Sequence, residues 1–267
     1  MKILKRIYIL LLSAVLIIGG SGCELNNSEI VKEEQAAHDE WLRWRKEFLA
    51  EQELSTEYSE LSSRQQTAVK RIYKMLMYLE DKYKITFQYT GYVEPQILEI
   101  EHLTAIPEGG NEKTDTVTVT CEDDGTFMDD YPNVAARPYY EQMITDYVED
   151  YFGSDKVKVF SKVTETTIED INNISEEKMK GNVSSSNKIF IDGSVCKEKE
   201  VNVFTSELSI WLNDNQLLGT NWVYLLNDKA SLSNMTQANY KDYFDKNYVS
   251  VSTGCSVQSD NRIQILN

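Results

Sequence analysis

The chain has 267 residues, 43 acidic and 27 basic, for a net charge of −16 at neutral pH. Such an acidic body is repelled by phosphate backbones, which argues against a nucleic-acid ligand and leaves cations, basic peptides and basic proteins as partners. At 41% hydrophobic residues the composition is globular rather than disordered.

Lys2, Lys5 and Arg6 form a positive start, and Ile7 to Ile18 is an apolar run broken only by Ser13. The run is too short for a permanent membrane span and has the layout of an export signal. Gly19-Gly20-Ser21-Gly22 then places small residues directly before Cys23. This segment resembles the lipobox of bacterial lipoproteins, with Gly20 standing where that pattern more often has Leu. The resemblance covers residues 1–23 only. It implies a diacylglyceryl group on Cys23, cleavage of residues 1–22, and residence at the extracytoplasmic face of the cell membrane.

Residues 24–28 read as a polar tether. From Glu29 to about Ser62 the chain lacks Gly and Pro, and Ile30, Ala37, Trp41, Trp44 and Phe48 recur at helical spacing, predicting a helix of about 25 residues. Its two Trp rings need cover, which packing on the chain's own body supplies. A second helix is expected over 65–84, with Val69, Ile72, Tyr73, Leu76, Leu79 and Tyr83 on one face and Lys70, Arg71, Lys74, Glu80 and Asp81 elsewhere. Strands are expected over 85–92, 97–106 and 116–121, and Asp124-Gly125 predicts a hairpin turn into Thr126-Phe127-Met128. Pro138 is placed at the start of a third helix bearing Tyr140, Met143, Ile144, Tyr147, Val148 and Tyr151, with Gly153 as its stop. Lys156 to Val163 alternates as a strand.

Residues 164–187 are polar and read as a linker. Beyond it, strands are expected over 188–191 and 201–212, where Leu208, Ile210 and Leu212 alternate, while 222–226 is apolar without a clear type. Thr236 is a candidate cap for a helix carrying Tyr240, Tyr243 and Phe244, and 248–251 with 262–266 close a sheet.

These elements predict an α+β fold: a long N-terminal helix, then mostly antiparallel sheet covered on one face by helices, as one domain or two. The expected divisions are a signal peptide (1–22), a tether with helix (23–63), an α+β domain (64–163), a linker (164–187) and a second α+β region (188–267).

No catalytic motif occurs: there is no G-x-S-x-G, no H-E-x-x-H and no phosphate-cradling glycine loop. With only two histidines, His38 and His102, His-dependent chemistry has little room. The spacing of Cys121, Cys196 and Cys255 fits no zinc site; they read as small buried hydrophobes, with Cys196 and Cys255 the pair to expect if any disulfide forms. Neither a metal nor a cofactor is called for. The most uneven stretch is 122–155, ten acids against the lone base Arg137, with tyrosines interleaved. Asp123, Asp124, Asp129, Asp130, Tyr139, Glu149 and Asp150 are therefore the candidate contacts for a basic protein or peptide partner. The expected function is that of a non-catalytic, membrane-anchored lipoprotein. The alternatives are a carboxylate-dependent extracellular hydrolase, which needs two facing acids and one raised pKa, and a transporter's solute-binding lipoprotein, which needs two α/β lobes.

Overall fold

The computed structural model describes residues 27–266. The leader and Cys23 lie outside the described residues. The chain is α+β and divides into two compact units: residues up to Gly110 with Thr118–Asp129, and Asn111–Val117 with Asp130 onward.

The first unit opens with helix α1 (Asn27–Glu51). Trp41 and Trp44 sit with ring centroids 4.9 Å from Tyr73, and Phe48 lies 5.2 Å from Tyr89, so the aromatic stripe packs on the chain's own body. Helix α2 (Ser63–Tyr83) starts at a capping box, with Ser62 Oγ accepting from Gln65 N–H and Gln65 Oε1 accepting from Ser62 N–H. It lies on a four-stranded sheet in the order β1 (Phe87–Val93), β2 (His102–Pro107), β3 (Val117–Cys121), β4 (Phe127–Asp129). Ile72, Met75, Leu76 and Leu79 of α2 and Phe87, Leu103, Ala105 and Val119 of the sheet are buried.

The expected strand over 97–106 begins five residues late. Pro95 removes a ladder donor, and 96–99 closes into a reverse turn in which Gln96 and Glu99 exchange backbone hydrogen bonds. The turn leaves Ile97, Leu98 and Ile100 in water rather than alternating on a sheet.

In the second unit α3 (Tyr131–Phe152) begins about two turns before Pro138, which lies inside the helix; Pro132, in the first turn, is the proline at the entry. Gly153 ends it in the left-handed conformation (φ 59°). The five-stranded sheet runs β5 (Val157–Thr166), β6 (Val183–Ile191), β7 (Leu218–Leu226), β8 (Val249–Val257), β9 (Ile263–Leu266). All neighbours are antiparallel except β6 and β7, which are parallel. Helix α5 (Glu198–Asp214) makes the crossover a parallel pair requires, and the short α4 (Glu176–Met179) precedes β6. Tyr140, Ile144 and Val148 of α3 and Val201, Phe204, Leu208 and Leu212 of α5 cover one sheet face. Leu232 and Met235, from the segment after β7, and Tyr243 of the short α6 (Asp242–Asp245) cover the other with Phe160 and Phe190.

Four expectations are corrected here. Residues 201–212 are helical, because Val201, Phe204, Leu208 and Leu212 share the buried face while Ile210 is 55% exposed. Residues 164–187 are not a linker: they hold the end of β5, α4 and half of β6, whose inward positions include Ser185 and Asn187. The division between units accordingly falls at Asp130, so α3 and β5 belong with the residues that follow them. Thr236 caps no long helix; its backbone N–H donates to Asn239 Oδ1.

Candidate functional site

Helix α2 carries Arg71, Tyr78 and Lys82 at i, i+7 and i+11, one stripe of the helix. All three turn toward carboxylates, of Asp129 in β4 and of Glu101 just before β2. Tyr78 Oη, Tyr83 Oη and Lys82 Nζ each donate to Asp129 at 2.7 Å. Asp129 has a side chain 0% exposed, so it is no free surface acid, and its place in the expected partner contact is withdrawn. Burial alone would raise its carboxyl; the bonds from Lys82, Tyr83 and Tyr78 outweigh that and hold it below the ordinary value. Just before β2, Glu101 accepts from Arg71 through both carboxylate oxygens and from Tyr92 Oη at 2.5 Å. Its carboxyl is likewise held low against the opposing effect of burial. Both clusters escape a sequence reading that counts Arg71 as solvent-facing; the i, i+7, i+11 spacing of a base, a phenol and a base is the signal that marks them.

The register places two loops at one end of the first unit's sheet. Val93 pairs with His102, so residues 94–101 connect β1 to β2 there. Cys121 pairs with Phe127 and its N–H donates to Glu101 O, so the turn 122–126 leaves at the same end. Asp124 holds that turn, accepting from Thr126 N–H at 2.9 Å and Thr126 Oγ1 at 2.7 Å. Glu122, Asp123, Asp124 and Glu99 are exposed. Beside them Ile97 is 101% exposed and Leu98 95%. Large apolar side chains bared this far at a hydrogen-bonded turn are unusual on a surface with no partner.

The remaining candidates belong to the second unit. Asp130 precedes α3 without a side-chain cap bond, and Tyr139 is exposed on its outer face. Glu149 and Asp150 sit in the last turn, where their carbonyls accept from Gly153 and Ser154 N–H. Tyr139 and Asp150 share a helix face but stand about 16 Å apart along it, too far for one small contact.

His38 is exposed on α1, and His102 Nδ1 lies 3.0 Å from Ile100 O. Cys121, Cys196 and Cys255 are free thiols. Burial pushes Cys196 up to about 11 and Cys255 to about 12. Glu141 is a partly buried carboxyl raised by desolvation, against which Ser161 N–H at 2.7 Å and the charge of Arg137 act, rather than a second acid. Among the described residues no group of three or more His, Cys, Asp or Glu is placed to hold a metal, and no helix is long and apolar enough to cross a membrane.

No protein-family model matches the chain, and no curated protein does. The solved structure of a DUF5037 family protein from Ruminococcus gnavus ATCC 29149 is similar to it at 15% identity, over 72% of this chain and 93% of that one, with a TM-score of 0.38. A likeness of that size carries no functional weight, and the residues themselves are what remains to reason from.

Proposed function

We propose that the chain is a non-catalytic lipoprotein, anchored through a diacylglyceryl group on Cys23, that binds a basic protein or peptide at the end of the first unit's sheet. The supporting observation is the meeting there of exposed carboxylates (Glu99, Glu122, Asp123, Asp124) with the bared Ile97–Leu98 turn. Each element has a separate job. Burying a Leu or Ile side chain contributes roughly 1.5–3 kcal/mol, so the turn supplies affinity. The carboxylates steer a basic partner and fix its orientation. Anionic headgroups would be repelled by the same carboxylates, which favours a protein over a lipid surface for the turn. The anchor raises the effective concentration of the site toward other surface proteins.

The test is crosslinking and recovery from intact cells with wild type and the combined variant Leu98→Ser, Asp123→Asn, Asp124→Asn. Partner recovery falls in the variant, and wild-type recovery weakens with added salt. Equal recovery by both proteins removes the sheet end as the site.

A further inference from the structure

The second unit contains a cavity of about 420 Å³ beside the edge strand β5, walled by α3, residues 113–116 and the loop that carries Gln237. That volume lies in the range of small-molecule sites. In a chain so rich in acids the wall is unexpectedly basic: Lys113, Arg137 and Lys162 line it against the carboxylate of Asp130. Two more acids lie near Arg137: Asp115, to which it donates, and Glu141, which feels its charge and accepts from Ser161 N–H.

Arg137 is held in place. Its Nη1 donates to Thr114 O at 2.7 Å and to Asp115 Oδ1 at 2.6 Å. Among the described residues its Nε and Nη2 have no hydrogen-bond partner, so a pre-oriented pair of donors is left over, the geometry that suits a carboxylate. Two residues of the wall each hold a buried polar atom that is unsatisfied. Ser161 is 0% exposed and its Oγ has no partner; Gln237 Oε1 is buried without one. Leaving a buried polar atom unpaired costs about 1–3 kcal/mol, which a ligand bearing hydroxyl groups would recover.

We infer that this cavity binds a small hydroxylated carboxylate, a sugar acid in size and polarity, with its carboxylate on Arg137 between Lys113 and Lys162 and its hydroxyls on Ser161 Oγ and Gln237 Oε1. The site is independent of the partner surface on the first unit.

The experiment is titration of the full mature chain with D-glucuronate, D-glucose and inorganic phosphate, followed by amide chemical shifts and calorimetry. Glucuronate is expected to saturate and to shift the amides of Arg137, Ser161 and Gln237. Glucose and phosphate each bind at least about tenfold more weakly, since each lacks one half of the recognition. Lys113→Gln and Lys162→Gln, both exposed, weaken glucuronate about fivefold each. Ser161→Ala removes the unpaired hydroxyl, so it weakens binding by a similar factor while leaving the melting temperature unchanged or higher. The assignment is overturned if glucuronate does not bind, if glucose or phosphate binds equally well, or if the three variants bind glucuronate like wild type.

Discussion

Asp129 offers the sharpest energetic test, because a reading of the hairpin as a solvated acidic tip and the structure disagree about it. Three donors converge on its carboxylate at 2.7 Å: two phenols and the Lys82 ammonium. Bonds to a charged group contribute about 1.5–3 kcal/mol each, and breaking a fully buried ion pair costs about 3–5 kcal/mol. Lys82 remains 44% exposed, so its charge keeps much of its hydration and the cost belongs at the low end. Asp129→Ala is therefore expected to destabilise the first unit by about 3 kcal/mol. Asp129→Asn should cost about 1–2 kcal/mol, since the amide still accepts from one side and a tyrosine hydroxyl can turn to accept from its NH₂. Urea unfolding followed by fluorescence reads this directly. Trp41 and Trp44 belong to the first unit, and replacing Trp211 and Trp222 by Phe leaves their signal alone. A shift within about 0.5 kcal/mol of wild type for Asp129→Ala, the range of an ordinary surface change, would refute the buried cluster. Asp123→Asn with Asp124→Asn is the matched control, and it should leave the first unit's stability nearly unchanged.

Four other outcomes are expected. Asp129 and Glu101 are both held below ordinary carboxyl values, so their contribution is complete above the usual carboxylate range and is lost as pH falls through the lowered values, where the unfolded chain has already taken up its protons; Asp129→Asn should flatten that acid limb in pH-dependent denaturation. Gly219→Ala should disrupt the second unit by more than about 3 kcal/mol, because φ is 120° there and a Cβ would meet Ser185 O at 1.9 Å; unfolding followed by Trp222 fluorescence at wild-type midpoint would contradict it. With Cys196 and Cys255 buried and pushed up to about 11 and 12, a thiol reagent at pH 8 should leave both unmodified until the protein unfolds; prompt labelling of either would mean the second core is open. Cys23→Ala should release the protein from membranes on fractionation, and unchanged retention would remove the lipid anchor.

How far the fold could be read from residues depended on whether buried faces were apolar. Helix α2 and the hairpin at Asp124-Gly125 were legible because Ile72, Leu76 and Leu79, and Val117 and Val119, repeat at unambiguous periods. Strand β6 was not, because its inward side chains include Ser185 and Asn187; the Asn187 amide donates to Ser185 Oγ and to Asn221 Oδ1, a partner 34 residues away. Helix α5 hides Thr205 and Ser209 in its buried face, so the alternation of Leu208, Ile210 and Leu212 spoke louder than the true period. The candidate site shows the same limit. Asp123 and Asp124 are surface acids as their turn implies, whereas the fate of Asp129 depended on α2, some fifty residues earlier. The bared turn at Ile97 was invisible because its apolar residues resemble a strand until Pro95 and the bonds between Gln96 and Glu99 are seen to stop one forming.

The proposal that a basic partner docks at the end of the first unit's sheet is tested most directly by a photoreactive residue at position 98 in intact cells, with position 207 on α5 as comparator. A discrete protein adduct at 98, absent at 207 and lost when Asp123 and Asp124 are made Asn, is the predicted result. Absence of an adduct at 98, or one that survives that neutralisation at full yield, would contradict it.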